Sequence, residues 1–319
     1  MRSDTLAIFR SLADPTRLRI FHLLRAMELS IGELAQVLGQ SQPRVSRHVK
    51  ILADAGLAVR RKEGSWVFLG LGRDAVVAPL FAAIDDWSRD AEDVWAIADR
   101  ARLAAVRADR AAAAAQYFAE HAEIWDAIRS LHVPESAVEA RIVEMLSGTR
   151  LGRMVDIGTG TGRMIELIGG EASSVIGIDR SPEMLRLARV KLADAGLAQA
   201  ELRQGDMYAL PLTDGSADLV IVHQVLHFAQ HPAAAIAESA RLLAPGGRLL
   251  IVDFASHDLE ELRTRDAHVR LGFGDDQIGS WFQAAGLGLA RVEALVGDAL
   301  TVKIWLGLRA ERSQLKAVS

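Results

Sequence analysis

The 319-residue chain contains no cysteine. Disulfide bridges, thiolate metal sites and a cysteine nucleophile are therefore excluded together. The sequence also has no apolar run of the roughly 20 residues that a membrane-spanning helix needs. Its first residues lack the apolar stretch and small-residue cleavage site of a signal peptide. We therefore expect a cytoplasmic protein with no membrane partner.

What the sequence does contain is enough apolar material for a sizeable core and an uneven distribution of charge. Half of its residues are hydrophobic, and its length suggests about two domains. Residues 1–73 hold 12 Lys and Arg against 6 Asp and Glu, whereas the rest of the chain holds 25 against 35. A basic front module indicates an anionic polymer as its partner, although chance clustering on a solvated surface would give the same balance.

Two short helical patterns joined by a glycine predict a helix-turn-helix. The first, IGELAQVL at residues 31–38, ends at Gly39, which tolerates the left-handed backbone of a tight turn. The second extends over residues 42–55, and its apolar residues recur at i, i+4 and i+7. Those predicted to face inward are Val45, Val49 and Leu52. The opposite face is basic and polar, and a helix of this size fits the major groove of DNA.

A β-hairpin is predicted directly after the second helix. Two strand-like stretches flank Glu63 and Gly64. Three consecutive cations, Arg60, Arg61 and Lys62, lie on the first arm. A charged hairpin beside a helix-turn-helix is typical of a wing, whose side chains meet phosphates.

Residues 4–72 resemble the ArsR-type winged-helix repressors nearly without gaps, through LADPTRLRIFHLL and then GELAQVLGQSQPRVSRHVKILADAGLAVRRKEGSWVFLGL. The resemblance implies a homodimer in which each recognition helix, about residues 42–53, reads one half of an inverted repeat in double-stranded DNA. The side chains expected nearest the base edges are Gln42, Arg44, Ser46 and Arg47. Those expected to contact phosphates are Lys50, Arg60, Arg61 and Lys62. A winged helix that serves only protein contacts is the alternative.

The sequence departs from this family where many members sense metals or arsenicals through a pair of cysteines. Ser30 and Gly32 stand at the matching positions, so a thiolate sensor site is absent. The histidines of this module, His22 and His48, are isolated and lack paired ligand spacing. We therefore predict no metal site and interpret His48 as a residue at the edge of the recognition helix.

Residues 74–116 are almost entirely helical in pattern and carry an apolar stripe. The resemblance assigns such terminal helices to the dimer interface, and packing within one chain is the alternative. The stripe comprises Val77, Leu80, Phe81, Ile84, Trp87, Val94, Trp95 and Ile97.

The strongest chemical signal is a strand that runs into closely spaced glycines. The segment MVDIGTGTGRM places Gly158, Gly160 and Gly162 between a strand and a helix, and glycine lets the backbone turn sharply against a ligand. The dinucleotide pattern G-x-G-x-x-G needs a glycine where Arg163 stands. Asp156 stands before the glycines. Its negatively charged carboxylate would repel a pyrophosphate and would attract a cationic amino group.

Two further strand ends carry acidic residues. The strand Val175–Ile178 leads into Asp179, which can accept both hydroxyls of a ribose. A strand near Ala200–Arg203 leads into Asp206, suited to an adenine amino group, and Met207, suited to the adenine ring.

Residues 117–309 alternate strand-like runs with amphipathic helices. They resemble the class I S-adenosylmethionine-dependent methyltransferases, which implies a Rossmann-like sheet and that cofactor. By this resemblance, the residues lining the cofactor are Asp156, Gly158, Gly160, Gly162, Asp179, Arg180, Asp206, Met207 and His223. An N-terminal helical segment carries an aromatic residue over the methionyl part in many such enzymes. Tyr117 is our first candidate for it and Trp125 our second, with a plain core role as the alternative.

These patterns predict an α/β fold with a winged-helix N-terminal domain. The predicted regions are a DNA-binding domain at 1–73, a helical dimerisation or linker region at 74–116, a methyltransferase domain at 117–309 and a tail at 310–319. No general base for methyl transfer stands out. His223, at the end of the fourth strand, and His227, one turn later, are the candidates, and either is equally a structural residue.

Two functions remain open from the sequence. In the first, S-adenosylmethionine or S-adenosylhomocysteine acts as an effector that changes the affinity for DNA. In the second, the chain is an active methyltransferase on a small molecule, the default acceptor, and regulates its own operon. Both functions need the same cofactor pocket, so the motifs do not separate them.

Overall fold

The computed structural model describes most of the chain in two compact units, residues 1–112 and 113–319. The described residues are 5–27, 29–63, 66–87, 95–106, 108 and 134–311. Each unit has its own hydrophobic core. Over these residues, none of the helices combines the length and the apolar character needed to cross a membrane.

The first unit is a winged helix. Its elements are α1 (Thr5–Leu12), α2 (Pro15–Ala26), β1 (Leu29–Ser30), α3 (Ile31–Leu38), α4 (Gln42–Asp54), β2 (Ala58–Glu63), β3 (Trp66–Leu71) and α5 (Asp74–Trp87). Residues 95–106 are also helical. The sheet order is β1-β3-β2, and β2 pairs antiparallel with β3 from Ala58 opposite Leu71 to Glu63 opposite Trp66. The predicted hairpin is therefore confirmed.

Local chemistry explains where the helices of this unit begin and end. Asp14 caps α2, because its side chain accepts a hydrogen bond from the backbone N–H of Arg17 at 3.0 Å. Gly39 ends α3 in the left-handed conformation, with φ of 65°. The predicted inward face of α4 is confirmed, since Val45, Val49 and Leu52 are fully buried.

The apolar stripe of residues 74–97 divides between the interior and the surface. Val77 and Phe81 are buried in the core of this unit, and the Phe81 ring stacks on Phe21 with centroids 4.2 Å apart. Packing within one chain therefore accounts for this part of the stripe. Trp87, Trp95 and Ile97 are exposed, and Val94 lies outside the described residues.

The second unit is an α/β sheet with helices packed against it. Its helices are α6 (Glu135–Leu146), α7 (Arg163–Ile168), α8 (Pro182–Asp194), α9 (Pro232–Leu242), α10 (Glu261–Arg265) and α11 (Asp275–Ala284). Its strands are β4 (Arg153–Ile157), β5 (Ser174–Asp179), β6 (Glu201–Gln204), β7 (Ala217–His223), β8 (Leu243–Phe254), β9 (Leu287–Val296) and β10 (Thr301–Arg309). The predicted fold class is confirmed.

The order of the strands creates a crevice for a ligand. The seven strands lie in the order β6-β5-β4-β7-β8-β10-β9, and β10 runs antiparallel to both of its neighbours. The five strands from β6 to β8 in this order pair in parallel with one another. From β4 the chain proceeds first to β5 on one side and later to β7 on the other. Open α/β sheets bind ligands at the carboxyl ends of the strands beside such a switch point.

Candidate functional site

The recognition helix α4 presents a polar, basic surface to solvent. Gln42, Arg44, Arg47 and Lys50 are exposed, and Ser46 is half-buried. Arg44, Arg47 and Lys50 point away from the buried apolar stripe of α4, as helical periodicity requires. Gln42 lies three residues before Val45, on the side of that stripe, and is exposed in the first turn of the helix. The three cations therefore form the accessible basic face of this helix.

The wing lies on β2. Arg60 is exposed and pairs with Leu69 of β3. Arg61 and Lys62 follow it in the ladder, opposite Phe68 and Val67. The side chains of Arg61 and Lys62 are outside what the structure describes.

His48 ties the recognition helix to the start of α2. Its Nδ1 lies 3.7 Å from Oδ1 of Asp14, the residue that caps α2. Burial lowers the pKa of the His48 imidazole, and the carboxylate of Asp14 opposes that shift. Over the described part of the chain, no three His, Asp or Glu side chains gather into a potential metal site.

Ser30, which stands where the family's sensors carry a cysteine, stabilises the start of α3. Its Oγ accepts a hydrogen bond from the backbone N–H of Glu33 at 3.2 Å. The carboxylate of Glu33 accepts in return from the backbone N–H of Ser30 at 2.8 Å. This reciprocal capping box gives the position a structural role.

The glycine loop of the second unit follows β4. Gly158, Gly160 and Gly162 have φ of 70°, 53° and 85°, which favour glycine. A Cβ atom at Gly158 would lie 2.5 Å from Cγ2 of Val225. The N–H of Gly158 donates to the carbonyl of Ile178 in β5 at 2.7 Å, so the loop is bound to the neighbouring strand. The loop is thus held in one conformation by Val225 on one side and by β5 on the other.

Asp179 connects the ends of β4 and β5. Its two carboxylate oxygens accept hydrogen bonds from the N–H groups of Gly160 and Ser181, both at 2.8 Å. Burial raises the pKa of Asp179, and the backbone donors oppose this rise. Asp156 is buried at the end of β4 and accepts a hydrogen bond from the hydroxyl of Thr159 at 2.6 Å.

The remaining predicted cofactor residues lie at the next strand ends. Arg180 is exposed, and its carbonyl accepts from Nε2 of Gln204 at 3.1 Å, which joins the ends of β5 and β6. Asp206 is exposed beyond β6, and Met207 is half-buried against the core. Tyr117 and Trp125 lie outside the described residues.

The two candidate histidines occupy different settings. His223 is the last residue of β7 and is buried. His227 lies on the 3₁₀ turn that follows, where its Nδ1 is 2.9 Å from Oδ1 of Asp253. The other oxygen of Asp253 accepts from the backbone N–H of His227 at 3.1 Å. Asp253 therefore fixes both the backbone and the ring of His227.

Sequence reasoning missed Asp253. It lies near the end of β8 and is fully buried, although the neighbouring residues of that strand are apolar. Burying a carboxylate in an apolar strand costs free energy unless the carboxylate is hydrogen-bonded. An aspartate at this position of the sequence could therefore have been recognised as a candidate site residue.

Aromatic rings surround His227. The ring of His268 lies 4.2 Å from it, that of Phe228 4.1 Å and that of Phe254 5.2 Å, centroid to centroid. His268 belongs to the segment after β8. Nothing in the sequence pattern indicated that this segment returns to β7, because the contact depends on the tertiary fold.

The two units thus define a winged-helix module and an α/β module of the kind that binds nucleotides at its strand ends. Comparison with known proteins is consistent with both. Residues 12–61 match the family model described as a helix-turn-helix domain, and residues 155–251 match the one described as a methyltransferase domain.

The N-terminal relationship is specific. The chain is 43% identical over 94 residues to the arsenical resistance operon repressor of Escherichia coli, an alignment that covers 28% of this chain and 78% of the repressor. The chain therefore belongs, through its first unit, to the ArsR-type family of repressors, and its second unit contains a methyltransferase domain.

The second unit has relatives of its own. The chain is 39% identical over 115 residues to the ubiquinone/menaquinone biosynthesis C-methyltransferase of Stutzerimonas stutzeri, covering 34% of this chain and 45% of the enzyme. A solved complex of the Trm112 methyltransferase activator and a putative methyltransferase from Haloferax volcanii includes a chain with the same fold. That match has a TM-score of 0.52 and 19% identity, and covers 62% of this chain and 98% of the other. The first curated relatives are matched over only 39% to 52% of their length.

Proposed function

We propose that the chain is a cytoplasmic DNA-binding transcription regulator whose affinity for its operator is set by S-adenosylmethionine or S-adenosylhomocysteine. The observation that carries the proposal is the presence, in one chain, of an exposed basic recognition helix and a glycine loop bonded to Asp179. The first is suited to DNA and the second to an adenosyl ligand.

The DNA contacts follow from the exposed face of α4. Gln42, Arg44, Ser46 and Arg47 read base edges in the major groove, and Lys50 contacts phosphate. The arm of the wing adds phosphate contacts from Arg60, Arg61 and Lys62.

A homodimer on an inverted repeat is part of the proposal. Apolar side chains that stay exposed in the first unit support it, because a lone domain gains nothing by presenting them to water. They are Leu6 and Phe9 of α1, Trp87 of α5, and Trp95 and Ile97 of the following helical residues.

The ligand contacts follow from the strand ends. The carboxylate of Asp156 and the glycine loop suit the methionine part, Asp179 the ribose, and Asp206 with Met207 the adenine. Val225 packs so closely on Gly158 that a Cβ there would meet its Cγ2 at 2.5 Å, so the loop needs glycine at this position. Arg180, His223 and Tyr117 complete the proposed contacts.

The test is the operator affinity with and without ligand. Binding sites would be selected from random DNA with the purified chain, and affinity measured by fluorescence anisotropy at saturating S-adenosylmethionine, S-adenosylhomocysteine or adenosine. A ligand that distinguishes two states of a regulator changes affinity by about 5- to 150-fold. We expect a change of that size with at least one of the first two ligands and none with adenosine. Unchanged affinity with both would contradict the proposal.

Methyl transfer to a small molecule is the second candidate function, and the His227–Asp253 pair favours it. S-adenosylmethionine supplies an electrophilic methyl group when bound. Asp253 holds a proton on Nδ1 of His227, so Nε2 keeps its lone pair and can take a proton from an acceptor. His227 is 2% exposed and lies among the rings of Phe228, Phe254 and His268.

Labelled methyl transfer from S-adenosylmethionine to a cell extract tests this second function. We expect a labelled small-molecule product from the wild type and a loss of about 100-fold in His227→Gln, the usual contribution of a positioned base. His231→Gln, at the start of α9, is the control and should keep the activity. The absence of any product from the wild type would contradict methyl transfer.

A further inference from the structure

The chain that follows β8 folds back onto the turn that carries His227. The carbonyl oxygen of His227 accepts hydrogen bonds from the backbone N–H groups of Val269 and Arg270, at 3.1 and 2.9 Å. The ring of His268 packs against the ring of His227, with their centroids 4.2 Å apart. Residues 268–270, which we call the return segment, therefore contact His227 through both backbone and side chain.

The side chain of Arg270 attaches the return segment to the same turn a second time. Its Nη2 donates to the carbonyl of Gln230, three residues after His227, at 2.9 Å. Arg270 is fully buried. A hydrogen bond from a charged donor is stronger than one between neutral groups, so the guanidinium holds residues 227–230 in one arrangement.

The return segment is itself bound to two further elements of the fold. Nη1 of Arg263 on α10 donates to the carbonyl of Val269 at 2.5 Å. Shortly after the return segment, the N–H of Phe273 donates to the carbonyl of Phe254 at the end of β8, at 2.9 Å. The return segment therefore connects the turn of His227 to α10 and to β8.

The backbone is strained on both sides of this contact. Among the described residues, only Gln224 and Ala267 combine a side chain with a left-handed backbone, with φ of 49° and 53°. Gln224 directly follows His223 at the end of β7, and Ala267 directly precedes His268. Such conformations persist only where the surrounding structure imposes them, and they concentrate at functional sites.

The contacts of His227 leave one of its polar atoms for chemistry. Asp253 accepts from its backbone N–H and holds its Nδ1, and the return segment donates to its carbonyl. None of the residues that the structure describes hydrogen-bonds to its Nε2. Because a carboxylate requires a donor at Nδ1, the neutral ring keeps a lone pair on Nε2.

We infer that His268 and Arg270 are positioning residues for His227 in methyl transfer. This inference rests on the second candidate function and deepens it. In the reaction the acceptor loses a proton to Nε2 of His227, and its electron pair bonds to the methyl carbon. The bond from that carbon to sulfur breaks, and its electrons stay on sulfur. His268 holds the plane of the ring and Arg270 holds the backbone of the turn, so both act through His227.

Variants of the full chain test the inference, with methyl-labelled S-adenosylmethionine and a small-molecule cell extract as the source of acceptor. The test variants are His268→Leu, which removes the ring, and Arg270→Lys, which keeps the charge but not the planar guanidinium. His268→Phe keeps a flat ring. The matched controls His257→Leu and Arg265→Lys make the same substitutions elsewhere between β8 and α11, and the Arg265 side chain is 56% exposed.

We expect both test variants to lower the rate of methyl transfer by about 10- to 100-fold, because a displacement of about 1 Å has an effect of that size. S-adenosylmethionine affinity, measured by calorimetry, should stay within about threefold, because both residues lie outside the glycine loop and the strand-end aspartates. His268→Phe and the two controls should keep rates close to that of the wild type.

The same substitutions in the background of His227→Gln separate positioning from a general structural role. A residue that acts through His227 loses its effect once His227 is replaced, whereas a residue that only stabilises the fold keeps its effect. We therefore expect His268→Leu and Arg270→Lys to cause no further loss of rate in that background.

Proton NMR gives a readout that needs no acceptor. A proton held between an imidazole and a buried carboxylate exchanges slowly with water, so the Nδ1 proton of His227 should give a signal that His227→Gln lacks. We expect this signal to weaken in His268→Leu and Arg270→Lys and to persist in His268→Phe and in both controls.

A wild-type rate and signal in either test variant would overturn the role of the residue it replaces. A further loss of rate in the His227→Gln background, or a matching loss of S-adenosylmethionine affinity, would overturn the inference as a whole. So would a loss in His268→Phe equal to that in His268→Leu. If thermal unfolding shows that Arg270→Lys does not fold, the two His268 variants decide.

The failure of methyl transfer itself is distinguishable from the failure of this inference. A wild-type chain that transfers no label to the extract would contradict the second candidate function. The NMR signal of His227 would still report whether the return segment holds the ring, because that signal does not depend on an acceptor.

Discussion

The two units place their candidate functional residues in opposite ways. In the winged helix, four of the five predicted side chains of α4 are exposed, and all five belong to a single helix. In the α/β unit, Asp156, Asp179 and Asp206 come from the ends of three different strands and are joined through backbone hydrogen bonds and sheet order.

This difference predicts how each site responds to the substitution of one of its residues. A side chain on an exposed helix face can be removed without disturbing the core, so the cost is confined to the contact it made. A residue at a strand end shares its environment with neighbouring strands, so a substitution there alters the geometry of the whole crevice. Substitutions in the α/β unit should therefore leave the ligand-free operator affinity unchanged, and substitutions on α4 should leave the ligand affinity unchanged.

The largest effect is expected from the double variant Arg44→Ala, Arg47→Ala. Each bidentate base contact contributes about 1–3 kcal/mol, so losing two should lower operator affinity by at least about 30-fold. S-adenosylmethionine affinity should not change. Anisotropy and calorimetry measure the two affinities, and Arg25→Ala, exposed on α2, is the control. Wild-type operator affinity in the double variant would mean that α4 is not the DNA-reading face.

Gly158→Ala should affect the other unit. The added Cβ meets Val225 at 2.5 Å in a backbone with φ of 70°, and the left-handed strain alone costs about 1–2 kcal/mol. We expect ligand affinity to fall by more than about tenfold, with ligand-free operator affinity unchanged. Gly196→Ala is the matched control, because its φ is 75° and an added Cβ meets nothing within 4 Å. If both variants bound ligand equally well, the loop would not be the ligand cradle.

Asp179→Asn removes the charged acceptor proposed for the ribose. A hydrogen bond to a charged group contributes about 1.5–3 kcal/mol, so ligand affinity should fall by about tenfold or more. Burial raises the pKa of Asp179, so in the wild type affinity should begin to fall at a higher pH than for an ordinary aspartate as the solution is acidified. Calorimetry across pH measures this, and the Asn variant should lack that dependence.

The smallest effect is expected from arsenite. Ser30 takes part in a capping box, and the chain has no cysteine to bind arsenic. Operator affinity measured with and without arsenite should therefore be the same. A change would show an arsenic site of a kind that the residue types do not suggest.

The elements were largely predictable where the signal is local. Asp14 caps α2, Gly39 ends α3, and β2 ends at Glu63, opposite Trp66, as the residue types indicate. The glycines after β4 and the aspartate at the end of β5 were also recognisable, because strand ends and glycine spacing are properties of short segments. The roles of the site residues remain predictions until ligand and DNA binding are measured.

The pairings among distant residues were not predictable. Arg163 was noticed for breaking a nucleotide motif, but its bond to Glu139 depends on how α6 packs beside α7. Asp253 and His268 meet His227 only because β8 lies beside β7 and the segment after β8 folds back. No periodicity in one segment encodes a contact with another.

For this protein, the sequence by itself determined the two modules, the charge difference between them, the polar face of α4 and the glycine loop after β4. Each follows from helical or strand periodicity and from the conformational freedom of glycine, which act over a few residues. Only the tertiary structure decided that Val77 and Phe81 pack in the core of their own unit, that Asp253 holds His227, and that part-buried ion pairs join Asp99 to Arg19 and Glu139 to Arg163. These depend on which surfaces pack together when the chain buries its apolar residues.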